Sequence, residues 1–223
     1  MPNWVDNRLT ITGDKTQLAK LKKDAVLVYE KVEKGEEKDN KFSIAKLVPL
    51  PEELRETTSP PDIVSEKEYP KALAKWRVEK IKVKKKKSGY VVGMPITKKI
   101  SDELIKKYGT NNWYDWQVRN WGTKWDTRTL SMNTDTEKRL DYDIDTAWSP
   151  PCGALVKISQ DYPKLTFKLK YCEPSMCFMG DYHVKNGKVI MNNQLDGVWA
   201  EYEHHHDIDK ETGECVECGE KIK

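Results

Sequence analysis

Lys138-Arg-Leu-Asp-Tyr-Asp-Ile-Asp-Thr-Ala147 is the stretch on which the fold turns. Apolar and charged residues alternate with period two, as in a strand with one buried and one wet face. Residues 127–133 alternate in the same way, and the polar residues 133–136 join the two as a hairpin. Ser149-Pro-Pro-Cys-Gly153 then begins a helix with Leu155, Ile158 and Tyr162 on one side. Leu165-Thr-Phe-Lys-Leu-Lys-Tyr171 alternates again as a strand. Residues 176–191 read as a hairpin about Asn186-Gly187, a pair suited to a type I′ turn because both central positions need positive φ.

Working upstream, Asn7-Arg-Leu-Thr-Ile-Thr-Gly13 is a half-buried strand closed by a glycine turn. Asp14 and Thr16 offer capping oxygens to a helix expected to reach about Val32, with Leu18, Leu21, Ala25 and Val28 on one face. Residues 33–41 are expected to be a surface loop, and residues 42–48 suit a strand, broken by Leu47-Val-Pro-Leu-Pro51 because proline fixes φ and cannot donate to a ladder. With residues 55–108 set aside as a basic, charged helical insertion, the order is β-α-β, a helix, then β-β-α-β-β. That order predicts an α+β protein, a ferredoxin-like split βαβ sandwich with helices on one face of an antiparallel sheet. The expected domains are 1–195 for this sandwich and 196–223 for an acidic Cys/His tail.

Within the insertion, residues 66–83 suit a highly charged helix containing Trp76, closed by the lysine run 84–87. Ser101 is expected to cap a short amphipathic helix that stops at Gly109. The segment Asn111-Asn-Trp-Tyr-Asp-Trp-Gln-Val-Arg-Asn-Trp-Gly-Thr-Lys-Trp-Asp126 suits a short helix with Gly122 as its C-cap.

Of the 223 residues, 37% are hydrophobic and 34% charged, a polar balance, and eight Trp and ten Tyr supply the area for a core. A bilayer-spanning helix needs about 20 apolar residues, and no run here approaches that. With no signal-peptide pattern at the start, the expectation is a cytoplasmic protein of a bacterial host cell. The net charge of +3 hides two poles: residues 67–107 carry a net +10 and residues 196–220 a net −8. An odd number of cysteines, five, argues against a disulfide framework. Cys152, Cys172 and Cys177 are expected to be small buried hydrophobes.

Three groups of residues have chemical consequences. Trp113, Trp116, Trp121, Trp125 and Trp148 are expected in the core, with a base-stacking platform as the alternative. Arg77, Lys80, Lys82, Lys84, Lys85, Lys86 and Lys87 form a basic block suited to nucleic acid or an acidic partner, or to plain solvation. In the tail, His204 and His206 with the Cys215-Val-Glu-Cys218 pair fit a four-ligand structural zinc site. His183 is expected to be a core histidine. Asp141, Asp143 and Asp145 share one face of a strand. They are expected to be the solvated face of an edge strand, with Mg²⁺ for phosphate chemistry as the alternative. P-loop, dinucleotide, nucleophile-elbow and zinc-protease motifs are all missing from the chain.

Met1-Pro-Asn-Trp4 with Asn7-Arg-Leu9, Val48-Pro-Leu-Pro51, Asn112-Trp-Tyr-Asp-Trp116, Asn120-Trp-Gly-Thr-Lys-Trp-Asp126 and Asp145-Thr-Ala-Trp-Ser-Pro-Pro151 resembles a family of phage and conjugative-plasmid proteins of unknown function with a ferredoxin-like domain, YubB-like proteins among them. The resemblance covers roughly residues 1–190. It implies a mobile-element setting and names no active-site residue. With the bipolar charge, it leads to the expectation of a non-enzymatic accessory protein that counters host defence, of anti-CRISPR or anti-restriction type. Such a protein would bind a host defence protein or ribonucleoprotein complex. The alternatives are an RNA- or DNA-binding module of phage replication or expression and, more distantly, an Mg²⁺-dependent enzyme acting on phosphates.

Overall fold

A central strand organises the computed structural model, which describes residues 3–28, 40–86 and 93–196. In β1 (Trp4–Gly13) the odd positions Val5, Asn7, Leu9 and Ile11 are buried, while Asp6 and Arg8 are exposed. Buried Asn7 sets its Nδ2 against the carbonyls of Val5 and Ile144 and Thr146 Oγ1, while its Oδ1 has no hydrogen-bond partner among the described residues. β1 pairs antiparallel with β5 (Arg139–Ala147) on one side and β6 (Leu165–Glu173) on the other. Outside β5 lies β4 (Arg128–Asp135); outside β6 lie β7 (Phe178–Lys185) and β8 (Lys188–Asp196). The sheet order is β4-β5-β1-β6-β7-β8.

Helices α1 (Lys15–Asp24) and α7 (Cys152–Asp161) pack on one face, against β1 and against β6 and β7 respectively. Leu18, Leu21, Leu155 and Ile158 meet Leu9, Ile11, Ile144, Phe167 and Leu169 there. Four strands in the order β4-β5-β1-β6 under two helices make the expected ferredoxin-like domain, extended by the β7–β8 hairpin. Asn186 and Gly187 at its turn both have positive φ, as a type I′ turn requires.

Several expected elements change. α1 ends at Asp24, well short of Val32, and Val28 is 63% exposed; Leu27 instead bridges to Asn40. Residues 42–48 are not a strand. Ser43 caps the short helix α2 (Ile44–Leu47), and β4 takes the strand position beside β5. Phe42 and Ile44 still enter the core, so their apolar character was not diagnostic of a strand.

Between α2 and β4 come α3 (Glu52–Arg55), β2 (Ile63–Val64), α4 (Tyr69–Lys86), β3 (Ile96–Thr97), α5 (Lys98–Tyr108) and α6 (Trp113–Trp121). The charged insertion is anchored rather than appended: β2 and β3 pair in parallel, and Ile96 and Leu104 join the same core as Leu54 and the sheet. Thr97, not Ser101, caps α5; Ser101 is buried inside the helix, where its Oγ accepts from Asn111 Nδ2. Gly109 and Gly122 end α5 and α6 in the left-handed conformation.

Candidate functional site

Among the described residues, helices cover one face of the sheet and leave the other open. Alternation along each strand places Trp4, Asp6, Arg8 and Thr10 of β1 on that open face. They are joined there by Arg139, Asp141, Asp143 and Asp145 of β5, by Lys168 and Lys170 of β6, and by Asp181 and His183 of β7. Register brings these residues together: Arg8 lies opposite Asp143 and Lys170, Lys168 opposite His183, and Lys170 opposite Asp181.

The charges separate across the face. On the β5 side each carboxylate is already engaged. Asp141 accepts from Thr10 Oγ1 at 2.6 Å and Arg139 Nε at 2.7 Å. Burial alone would raise its pKa, but these hydrogen bonds outweigh burial and leave it lowered. Asp143 accepts from Ser131 Oγ at 2.9 Å and Asn133 Nδ2 at 2.7 Å. Asp145, 3% exposed, pairs with Arg128. Asp6, opposite Asp145, has its carboxyl raised, first by burial and then by Asp145 itself. Tyr142 and Ile144 point inward as expected, although β5 is an interior strand with β4 as the edge. Among the described residues, no group of three or more His, Cys, Asp and Glu is placed to hold a metal ion.

On the β6–β7 side the balance is cationic. Arg8, Thr10, Arg139, Lys168, Lys170, Asp181, His183 and Met191 line a shallow groove of about 580 Å³, with four cations against one carboxylate. His183 belongs to this groove and not to the core; its pKa is lowered by burial and by Lys168, with Asp181 opposing. Sequence reasoning missed this site, although the signal was present. Lys168 and Lys170 stand two apart in an alternating strand, and Arg8 has the matching parity in β1.

The tryptophans divide. Trp116 and Trp121 are buried at 7% and 2%, edge to face with ring centroids 6.0 Å apart, and Trp121 Nε1 donates to the Val48 carbonyl at 2.8 Å. Trp113 is half-buried. Trp125 and Trp148 correct the expectation of five core rings, being 38% and 45% exposed. Trp125 leans on Trp4 at 6.1 Å between centroids, Lys124 Nζ lies 4.8 Å from the Trp125 ring centre, and the Arg128 guanidinium lies 4.6 Å from that of Trp4. This cation–ring–ring–cation row sits at the Trp4 end of the open face.

The basic block is helical. Lys80 is tied to Glu56 at 2.6 Å and lies 4.8 Å over the Trp76 ring, whereas Arg77 and Lys82 are exposed. Lys84, Lys85 and Lys86 complete α4, and Lys87 lies outside the described residues. So do the expected zinc ligands His204, His206, Cys215 and Cys218. Cys172 is buried, and burial pushes the Cys152 thiol up to about 12; Cys177 is exposed, against expectation. No helix among the described residues is long and apolar enough to cross a membrane.

No curated protein matches the chain. A crystal structure of the protein api92 from Yersinia pseudotuberculosis aligns over 88% of this chain and 98% of that one, at 12% identity and a TM-score of 0.41. Residues 120–214, which include β4 through β8 and α7, match the family described as the ferredoxin-like domain in Api92-like protein.

Proposed function

We propose that this chain is a nucleic-acid-binding protein, not an enzyme, and that the open face of its sheet receives the phosphate backbone. The observation that supports this reading is the groove in which Arg8, Arg139, Lys168 and Lys170 converge against the single carboxylate of Asp181. Four cations lining one groove of this face, Arg139 among them also paired with Asp141, attract a polyanion and release its counterions on contact. The exposed Arg77 and Lys82 of α4 extend the cationic surface elsewhere on the molecule.

The test is fluorescence anisotropy of a labelled oligonucleotide titrated with the full chain over a salt series. The K168A/K170A double variant removes two exposed side chains. Its affinity falls by about tenfold or more, and the log–log salt slope flattens by about 1.4 for a single strand, about 0.7 per lost phosphate contact. An unchanged slope rejects the groove as the phosphate site.

A second reading, that of a mobile-element accessory protein which captures a host nucleic-acid-processing complex, draws support from the edge strand. Val189, Ile190, Met191 and Leu195 of β8 are 37–61% exposed, an apolar edge suited to a protein partner. Under it, a complex captured from host lysate survives nuclease treatment, and the isolated chain does not retain oligonucleotides.

A further inference from the structure

The Trp4 end of the open face has features that phosphate binding does not use. Two indoles that a plain core would have buried are 38% and 45% exposed, while Trp116 and Trp121 in the same stretch of chain are almost fully covered. Trp125 is propped by Trp4, with a lysine over one ring and an arginine over the other. Arg128 is itself held by the buried carboxylate of Asp145. The backbone N–H of Trp148 donates to the Asn3 carbonyl at 2.9 Å, which sets this residue's backbone beside the start of β1. Trp148 lies at φ 72°, a backbone region that bulky residues enter only when their surroundings hold them there.

We infer that this aromatic end stacks unpaired bases, and that the ligand of the open face is therefore a single strand. The inference rests on the nucleic-acid reading above. Bases inside a duplex have their faces covered by their neighbours, whereas a single strand can lay a base on an exposed ring. The spacing along β1 suits such a ligand. Trp4 and Arg8 share a face four residues apart, roughly 13 Å at the usual rise of a strand, and Arg8 lies directly beside Lys170. A strand whose bases rest on Trp125 and Trp148 thus runs its phosphates past Lys124 and Arg128 and onward into the groove. This stacking end differs from the aromatic pattern of RNA-recognition modules, where the rings sit on the central strands.

The test compares a labelled oligonucleotide, an abasic oligomer of equal length and charge, and a duplex. The proteins are the wild type, W125A/W148A, W125F/W148F and K168A/K170A. The wild type prefers the oligonucleotide over the abasic oligomer by about tenfold per stacked base. W125A/W148A loses that preference and binds both oligomers at the wild-type abasic affinity, and W125F/W148F restores part of it. Circular dichroism confirms that the variants fold. A preference that persists in W125A/W148A overturns the stacking site. Equal wild-type affinity for oligonucleotide and abasic oligomer, with a steep salt dependence, also overturns it but leaves the phosphate groove standing. Failure of the wild type to bind either oligomer overturns both.

Discussion

Asp126 shows how one residue joins segments far apart in the chain. Its carboxylate accepts from Ser43 Oγ at 2.6 Å, from the Ala45 N–H at 3.0 Å and from the Thr127 N–H at 2.9 Å, with Asn40 Nδ2 at 3.3 Å. Burial raises its pKa against these hydrogen bonds, which favour the charged form. Replacement by alanine leaves several donors without a partner in a dry site, so D126A loses about 2–3 kcal/mol of stability, measured by urea unfolding. Nothing in the local sequence shows which helix Asp126 serves. That helix was itself hidden, because Phe42 and Ile44 fit a strand as well as a buried helical turn.

At the scale of elements, alternation was the readable signal. The strands around Leu9, Tyr142 and Phe167 follow their period of two, because one face of each is buried against helices and the other is wet. Helix ends were harder. The apolar spacing continues from Leu21 to Val28, but the helix stops at Asp24, where Tyr162 Oη donates to the Asp24 carboxylate at 2.7 Å and Lys20 lies beside both groups. A tertiary partner sets that boundary, and no local pattern encodes it. A similar tie joins α3 to α5: Glu53 accepts from Lys107 Nζ at 2.6 Å and Tyr108 Oη at 2.7 Å, and the hydrogen bond from Lys107 leads in lowering its pKa to about 2. A carboxyl depressed in the folded state adds stability above its ordinary pKa of 4.5, and that contribution is lost as pH falls through about 2. The pair is exposed, so the effect is small. E53Q therefore melts slightly below wild type at pH 7, and the gap closes by about pH 2, as read by thermal melts at both values.

At the scale of the whole molecule, two helices pack on one face of the six-stranded sheet, and no described element packs on the second. A separate expectation concerns residues 197–223, which lie outside the described residues. The pattern of His204, His206, Cys215 and Cys218 predicts one zinc per chain. Cobalt substitution tests it: the wild type shows a thiolate-to-cobalt charge-transfer band and a tetrahedral visible spectrum, and C215S/C218S shows neither. Unchanged spectra in the double variant assign the metal elsewhere.

The sequence by itself determined most of the ferredoxin-like order, all but the strand wrongly expected at 42–48, together with the turn at Asn186-Gly187 and the glycine stops at Gly109 and Gly122. Periodicity and backbone stereochemistry act over a few residues and need no partner to be read. Only the tertiary structure decided which tryptophans are buried and which cations share a groove. Arg8, Arg139, Lys168, Lys170 and His183 come from four strands separated by as many as 175 positions, and strand register alone makes them neighbours. Trp121 and Trp125 stand four residues apart with the same side chain. Trp121 packs edge to face on Trp116 and donates to the Val48 carbonyl, while Trp125 lies past the helix end against Trp4; burial is a property of what packs above a residue, which composition cannot express.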